Sequence, residues 1–359
     1  MSIHPTAIVS PGARIGYGVE IGAYSFIGPH VVLGEGCKLH HHATVEGHTT
    51  LGERCEVYPQ TVLGTPPQDL KFSGERTTLE IGRKNIFREM VTAHPGTGNG
   101  GGVTRVGDHN LFLIGVHIAH DCHIGNHCII ANYVQFAGHV HVEDHVNMGG
   151  HCAAHHFVTI GKHAFVGGMT RVSADVPPFM IVVAARGNRT EARMVNGVGL
   201  QRSGFTYEDI AALKDAYMRL FSRKARMSGT GIRERVQELL QMKPLNTHVK
   251  YLAEFLMRSF EQGRNGRYLE SLRADAVHRS TWRPQDQIKL TVNVIGEGAV
   301  RQVRLRDGES VHEGVELHAQ ADPGWDFAEW NGSLAGRDNP VNIILDQPKT
   351  VTATFVREP

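Results

Sequence analysis

The chain has few cysteines, no long apolar run and almost no net charge, and each shortage excludes a class of protein. Its five cysteines, Cys37, Cys55, Cys122, Cys128 and Cys152, are odd in number and show no paired short spacing. That argues against a disulfide scaffold or a zinc knuckle and for reduced thiols used in packing. No apolar stretch approaches the roughly 20 residues needed to span a membrane. The opening MSIHPTAIV lacks a basic segment followed by an apolar one, so secretion is not expected and a cytoplasmic protein is. Lys and Arg total 37 against 36 Asp and Glu, so there is no general basic excess to hold a nucleic acid. A local one exists: Arg186, Arg189, Arg193, Arg202, Arg219, Arg223, Lys224 and Arg226 gather in one stretch, as a docking zone for an acidic partner or as a solvated face.

What the chain does have is a period of six. Ile3, Val9, Ile15, Ile21, Ile27, Leu33, Leu39, Val45, Leu51, Val57 and Leu63 form an unbroken aliphatic series, often followed by Gly. Neither a helix nor a flat strand has that period. Six residues make one short strand plus a bend, and three such units make a triangular turn of a solenoid that buries one side chain per face. The period lapses through GTPPQDLKFSGERTTLE and through PGTGNGGGVTR, which predicts two loops thrown out from the coil, near 65–80 and 95–105. It resumes at Val106 and continues through Ile118, Phe136, Ala154 and Val172, and VPP closes the coil at about residue 178.

Beyond it the pattern changes. Thr206 is placed as an N-cap ahead of YEDIAALKDAYMRLF, SGTG at 228–231 interrupts, and amphipathic runs follow around 232–241 and 247–260. From Ile288 a period of two sets in, with IKLTVNV, a turn at GEG, VRQVRL and a final TVTATFV. The expected class is mainly β, with a parallel β-helix over 1–185, a helical domain over 186–267, a linker over 268–285 and a small β domain over 286–359.

The chain holds 23 histidines, and the repeat stacks some of them. If the Gly-rich insertion after His94 replaces one six-residue step, then Ala93, Ile118, Phe136, Ala154 and Val172 share a face. His94, His117, His120, His139 and His155 lie beside them. Such a group can supply a general base, with Asp121 fixing the tautomer of His120. Three imidazoles with an open position can instead bind zinc, and spacing alone leaves both open.

GTPPQDLKF, HIAHDCHIGN, FAGHV, VGGMTRVSADVPP and GLQRSGF resemble the signatures of the acyl-carrier-protein:UDP-N-acetylglucosamine O-acyltransferase family, which opens lipid A synthesis. The resemblance covers roughly residues 1–267. It implies a left-handed coil, a homotrimer with sites in the clefts between subunits, and no metal or redox cofactor. It implies that His120 takes the proton from the sugar 3-hydroxyl, that Asp121 orients it, and that the Gly138 N–H faces the developing oxyanion. Asp69, Lys71, His94, His117, His139 and His155 match nucleotide-sugar contacts. Gly168 matches the position limiting acyl length, where Gly leaves room for a long 3-hydroxyacyl chain. Asn196 and Arg202 match residues near the acyl and phosphopantetheine arm, and the basic zone would receive acyl carrier protein.

There are departures. Pro95 stands where well-known members have Arg, and His156, at a substrate-contacting position, where they have Gln. Val198 and Ser203 replace an acidic and a basic residue. A 3-amino UDP-sugar is therefore an alternative acceptor. A zinc hydratase resembling the gamma carbonic anhydrases is the rival from another class, and a catalytically idle scaffold is a third reading. The tail, with PGWDFAEWNG and KTVTATF, resembles a divergent InlB B-like repeat, in which Trp325 and Trp330 are expected to form the core.

Overall fold

A computed structural model describes residues 2–185, 189–262, 266–272, 290–305, 313–345 and 349–358. The chain divides into two compact units, Met1–Ala274 and Asp275–Pro359.

The first unit is a triangular parallel coil. Ile3 pairs with Ile21, Val9 with Ile27 and Ile15 with Leu33, so each residue lies on the one eighteen positions away. The two-residue strands stack into three parallel sheets. One runs from Ser2–Ile3 to Met180–Ala185, the second from Ile8–Val9 to Arg171–Val172, and the third from Arg14–Ile15 to Thr159–Ile160. The second of each strand's two residues points inward, and from Ile21 to Val172 this series is buried. Phe87 and Phe112 stack in the interior with ring centroids 5.0 Å apart. The cysteines are buried packing residues, as the sequence predicts.

Corners between sheets need a left-handed backbone, and many are filled by residues other than glycine. Asp121 (φ 59°), His139 (φ 63°) and His163 (φ 56°) are examples. This conformation costs roughly 1–2 kcal/mol per residue and is tolerated best by Asn, Asp and His. Stacking offsets part of it: His109, His127, His145 and His163 form a column with centroid separations of 4.9, 4.9 and 4.6 Å.

The two insertions leave at the corner between the second and third sheets. Leu63 pairs with Ala93, thirty positions on, and Ile81 with Val106, twenty-five on, so the loops add twelve and seven residues to the eighteen of a plain turn. Ala93, Ile118, Phe136, Ala154 and Val172 then stack in the second sheet in the order expected.

Pro177 and Pro178 do not end the coil. Met180–Ala185 adds one more parallel strand beside Phe165–Val166, and Arg189–Val195 returns antiparallel against it. Proline lacks a donor but sits in the corner here, outside the ladder, so pairing continues past it.

Five helical segments come next: α1 (Gly197–Arg202), α2 (Tyr207–Leu220), α3 (Arg223–Arg226), α4 (Ile232–Gln241) and α5 (Thr247–Met257). Thr206 caps α2 through a reciprocal pairing with Asp209. α1 carries no sequence signal because Gly-Val-Gly is a poor helix former; the Asn196 side chain makes it, accepting from Gly199 N–H. The stretch expected as a linker begins with one more helical turn, α6 (Tyr268–Ser271), and otherwise lies outside the described residues. Asp175 ties this end to the coil, its carboxylate accepting from Thr159 N–H, Tyr268 N–H and the Ser259 hydroxyl. Among the described residues no helix is long and apolar enough to cross a membrane.

Among its described residues the second unit holds two three-stranded sheets. Val315, Leu317, Trp330, Ile343, Val351 and Phe355 form its core, and the Trp330 indole N–H donates to the carbonyl of Asp338 at 2.9 Å. Trp325 is only half-buried, with the Arg357 guanidinium 5.5 Å above its ring.

Phe112→Ala should cost the first unit about 3–5 kcal/mol, read as a lowered denaturation midpoint at unchanged slope. A loss under about 1 kcal/mol would mean that the interior collapses around the missing ring.

Candidate active site

Strands of the second sheet end at the corner where both insertions leave, and there the histidines converge. His120 and Asp121 follow the strand His117–Ile118. The His120 imidazole and the Asp121 carboxylate meet at 2.8 Å through Nδ1 and Oδ2. An ionised carboxylate only accepts, so Nδ1 carries the proton and Nε2 is left with a lone pair. Both residues are buried, 8 % and 6 % exposed.

Asp121 is held from three further sides. Thr97 donates its N–H to Oδ1 at 2.8 Å and its hydroxyl to Oδ2 at 2.7 Å, and the Asp121 N–H donates to Thr104 Oγ1 at 2.8 Å. Burial by itself would raise the Asp121 pKa, but the bonds from His120 and Thr97 outweigh it and keep the carboxyl below its ordinary value. The group stays anionic out of water.

His139 stands edge-on to His120, with centroids 5.2 Å apart, and its Nδ1 is 3.8 Å from Asp121 Oδ2. It stacks on Phe157 at 4.4 Å. His117 shares a hydrogen bond with Thr92 Oγ1 at 2.8 Å and meets His94 edge-on at 5.2 Å. His94 donates from Nδ1 to the carbonyl of Thr65 at 2.9 Å, which leaves its buried Nε2 as an acceptor without a partner among the described residues. Gly138 has a steric reason to be glycine: a Cβ there would lie 2.4 Å from His120 Cε1 and 2.7 Å from Nε2.

The other predicted residues lie further out. His155 and His156 follow the next strand down and meet edge-on at 5.6 Å. In the first insertion the Asp69 carboxylate accepts the backbone N–H of Lys71 at 3.0 Å, and among the described residues the two side chains form no ion pair. Asn196 and Arg202 do not join the cluster. Asn196 caps α1 and donates to the carbonyl of His163, and both line a groove of about 440 Å³ on the first sheet with His127, His145, His163 and Phe165. Gly168 lies on the corner after the first-sheet strand Phe165–Val166, where a Cβ would find its nearest neighbour, the carbonyl of Gly150, at 3.3 Å. Arg186 lies outside the described residues.

Among the described residues the one group whose ligand atoms all fall within 4.8 Å of one another is His120, Asp121 and His139. It is not the three-imidazole set considered for zinc, and its carboxylate already serves His120 and Thr97. The supporting threonines, Thr65, Thr92, Thr97 and Thr104, carried no signal in the sequence beyond their place in or beside the insertions.

Residues 175–265 match the family described as Udp N-acetylglucosamine O-acyltransferase, domain 2. Residues 104–138 match the bacterial transferase hexapeptide, and 288–359 the divergent InlB B-repeat domain. A protein of Xylella fastidiosa named acyl-[acyl-carrier-protein]–UDP-N-acetylglucosamine O-acyltransferase is 44% identical over 254 residues, 71% of this chain and 94% of the relative. One of the same name from Stenotrophomonas maltophilia is 43% identical over the same shares. A crystal structure of a UDP-N-acetylglucosamine acyltransferase superposes with TM-score 0.66 at 42% identity, covering 72% of this chain and 96% of the other. The Arabidopsis enzyme of that name gives 0.64 at 37% identity, with 73% and 98% covered.

Burial, with His94 and His120 nearby, pushes the His117 pKa down to about 4, below the 6.5 of a free imidazole. The sign follows. Between these values the unfolded chain binds a proton that the folded one refuses, so the stability from this group is complete above pH 6.5 and lost as pH falls toward 4. Replacing His117 with Gln should flatten the acid side of the stability profile by up to about 3 kcal/mol in denaturant titrations at pH 7 and 4. An unchanged profile would mean that His117 is solvated.

Proposed function

The chain belongs to the acyl-[acyl-carrier-protein]–UDP-N-acetylglucosamine O-acyltransferase family, and on that premise we propose that it moves an (R)-3-hydroxyacyl group from acyl carrier protein to the 3-hydroxyl of UDP-N-acetylglucosamine, opening lipid A synthesis, with His120 as general base. One observation carries the mechanism: His120 donates a hydrogen bond from Nδ1–H to a buried anion, Asp121, which leaves Nε2 basic and fixed in direction. As the sugar hydroxyl attacks the thioester carbonyl, Nε2 takes its proton and the imidazolium that forms is stabilised by Asp121. The thioester carbonyl becomes an oxyanion, and the N–H of Gly138, on backbone packed against the His120 ring, is the proposed donor to it. Collapse expels the carrier thiolate, which recovers the proton.

The acceptor lies along the second sheet, between the Asp69 and Lys71 loop and the imidazoles of His94, His117, His139, His155 and His156. The unpartnered Nε2 of His94 asks for a donor there, which a hydroxyl or amide of a nucleotide sugar supplies. The acyl chain and its pantetheine arm lie along the first-sheet groove with Asn196 and Arg202 and end near Gly168. One face of one prism does not hold both halves, and this supports a homotrimer in which the first sheet of one subunit faces the second sheet of the next.

Carrier protein docks on the basic helical end. Arg193 and Arg226 are engaged by Glu191 and Arg219 by Asp215, whereas Arg223 and Lys224 have no ion-pair partner among the described residues. They are the strongest attractants for an acidic surface.

His120→Ala should lower kcat by roughly a hundredfold or more with 3-hydroxyacyl carrier protein and UDP-N-acetylglucosamine. Transfer by the variant at the wild-type rate would remove His120 from the mechanism. The 3-amino sugar, assayed alongside, tests the acceptor: faster transfer to nitrogen than to oxygen would overturn the hydroxyl assignment.

A further inference from the structure

Thr97 lies in the second insertion, outside every motif that carries the family resemblance, yet it is buried against the dyad at 2 % exposure. We propose that Thr97 is a positioning residue for acyl transfer: by gripping the Asp121 carboxylate it holds that group where it fixes the tautomer and direction of His120. This rests on the reading of His120 as general base.

Side chains of consecutive residues do not ordinarily face each other, and here the second of the pair sits on a left-handed corner. The Asp121 carboxylate is held against the ring of His120 by groups outside the pair. Thr97 supplies two donors, one to each carboxylate oxygen, at 2.8 and 2.7 Å. The oxygen that takes the hydroxyl proton is also the one that accepts from His120.

The bland alternative is that Thr97 serves its own loop. It stands at the N-cap of the short 3-10 turn Gly98–Gly100, where a threonine hydroxyl usually accepts from the turn's N–H groups. It makes no such bond, and its hydroxyl is turned to Asp121 instead. The loop has other supports: the N–H groups of Gly100 and Gly102 donate to the carbonyl of Thr97, and Gly98 N–H donates to Glu75 of the first insertion at 2.7 Å. Gly100 closes the remaining side of the carboxylate so tightly that a Cβ would lie 2.0 Å from Asp121 Cγ. The loop is thus shaped to the carboxylate, with Thr97 as its polar contact.

Two donors at fixed places also set how strongly Asp121 holds the imidazole proton. With the hydroxyl removed the anion is less stabilised, so the pair keeps its proton to higher pH. The two effects have separate readouts.

The test uses the full chain, measuring acyl transfer from 3-hydroxyacyl carrier protein to UDP-N-acetylglucosamine across pH for Thr97→Val, Thr97→Ala and Thr97→Ser, with His120→Ala alongside. Thr97→Val and Thr97→Ala should lower kcat by about tenfold, leave the sugar-nucleotide KM within about twofold, and move the acid limb of kcat/KM up by roughly one pH unit. Thr97→Ser, which keeps the hydroxyl, should restore both. Thr97→Ala places no methyl against the carboxylate and keeps the test open should Thr97→Val fail to fold. Wild-type kcat and pH profile in a folded Thr97→Ala, or an equal loss in Thr97→Ser, would overturn the proposal. Full activity in His120→Ala would instead overturn the general-base reading beneath it, whatever the Thr97 variants do.

Discussion

The coil of the first unit depends on one register: outside the two insertions each residue sits on the residue eighteen positions away, and no rung can shift without breaking three sheets at once. Strands of two residues have almost no stability alone. They persist because each inward aliphatic side chain is stacked between two others, and because sheet closure leaves only the ends exposed as edges. The same register turns chemistry into columns. Histidines that recur at one step of the repeat become stacked rings, as at His109, His127, His145 and His163, without any pairwise design. Additional residues can leave only at corners, and both insertions leave at the one that carries the imidazole cluster. A rigid prism thus sets the positions of the imidazoles, and the loops decide what surrounds them.

What surrounds them is a low-dielectric pocket with one firmly held anion. A buried carboxylate is expensive unless its lone pairs are used, and Asp121 has donors on both oxygens. The imidazole of His117 shares a bond with a threonine hydroxyl, not a carboxylate, and burial depresses its pKa to about 4, so it is neutral near pH 7. The cluster therefore contains histidines of two kinds. One is bonded to an anion and suited to accept a proton; another is uncharged and suited to orient a sugar by hydrogen bonds. Two imidazoles three residues apart on one rung thus differ in character because their neighbours differ.

The aliphatic series from Ile3 to Leu63 was enough to read the coil, and its lapses were enough to read both insertions. The common face of Ala93, Ile118, Phe136, Ala154 and Val172 followed from counting in sixes. His120 and Asp121 could be proposed as a base and its orienting carboxylate from their side-chain types, although their contact depends on the corner and on Thr97. Four threonines could not be read, since Thr65, Thr92, Thr97 and Thr104 matter only through where the loops and rungs bring them, which periodicity does not encode. α1 was hidden by the low helix propensity of Gly-Val-Gly and exists through the Asn196 cap. VPP has the composition of a stop, but at a corner proline interrupts no ladder bond and pairing resumes at Met180–Ala185. The resemblance implies an N–H role for Gly138; that a side chain there would meet the His120 ring follows only from the fold.

A prism with three faces has a further consequence for catalysis. The imidazoles stand at the corner of the second and third sheets, whereas Asn196, Arg202 and the groove they line belong to the first sheet. Interior side chains fill the space between, with Phe112, Phe136 and Met148 fully buried, so no substrate can pass through the coil from one face to the other. Under the proposed function, a long acyl chain anchored at Arg202 and reacting beside His120 would bridge two prisms laid side by side. The outward residues of the first sheet include Leu111, Ile129, Phe165 and Ile181, with Asn147 between Ile129 and Phe165, a largely apolar row suited to line such a cleft. On the proposed reading, one chain alone would leave the site incomplete, and assembly would be part of the catalytic machinery as well as a source of stability.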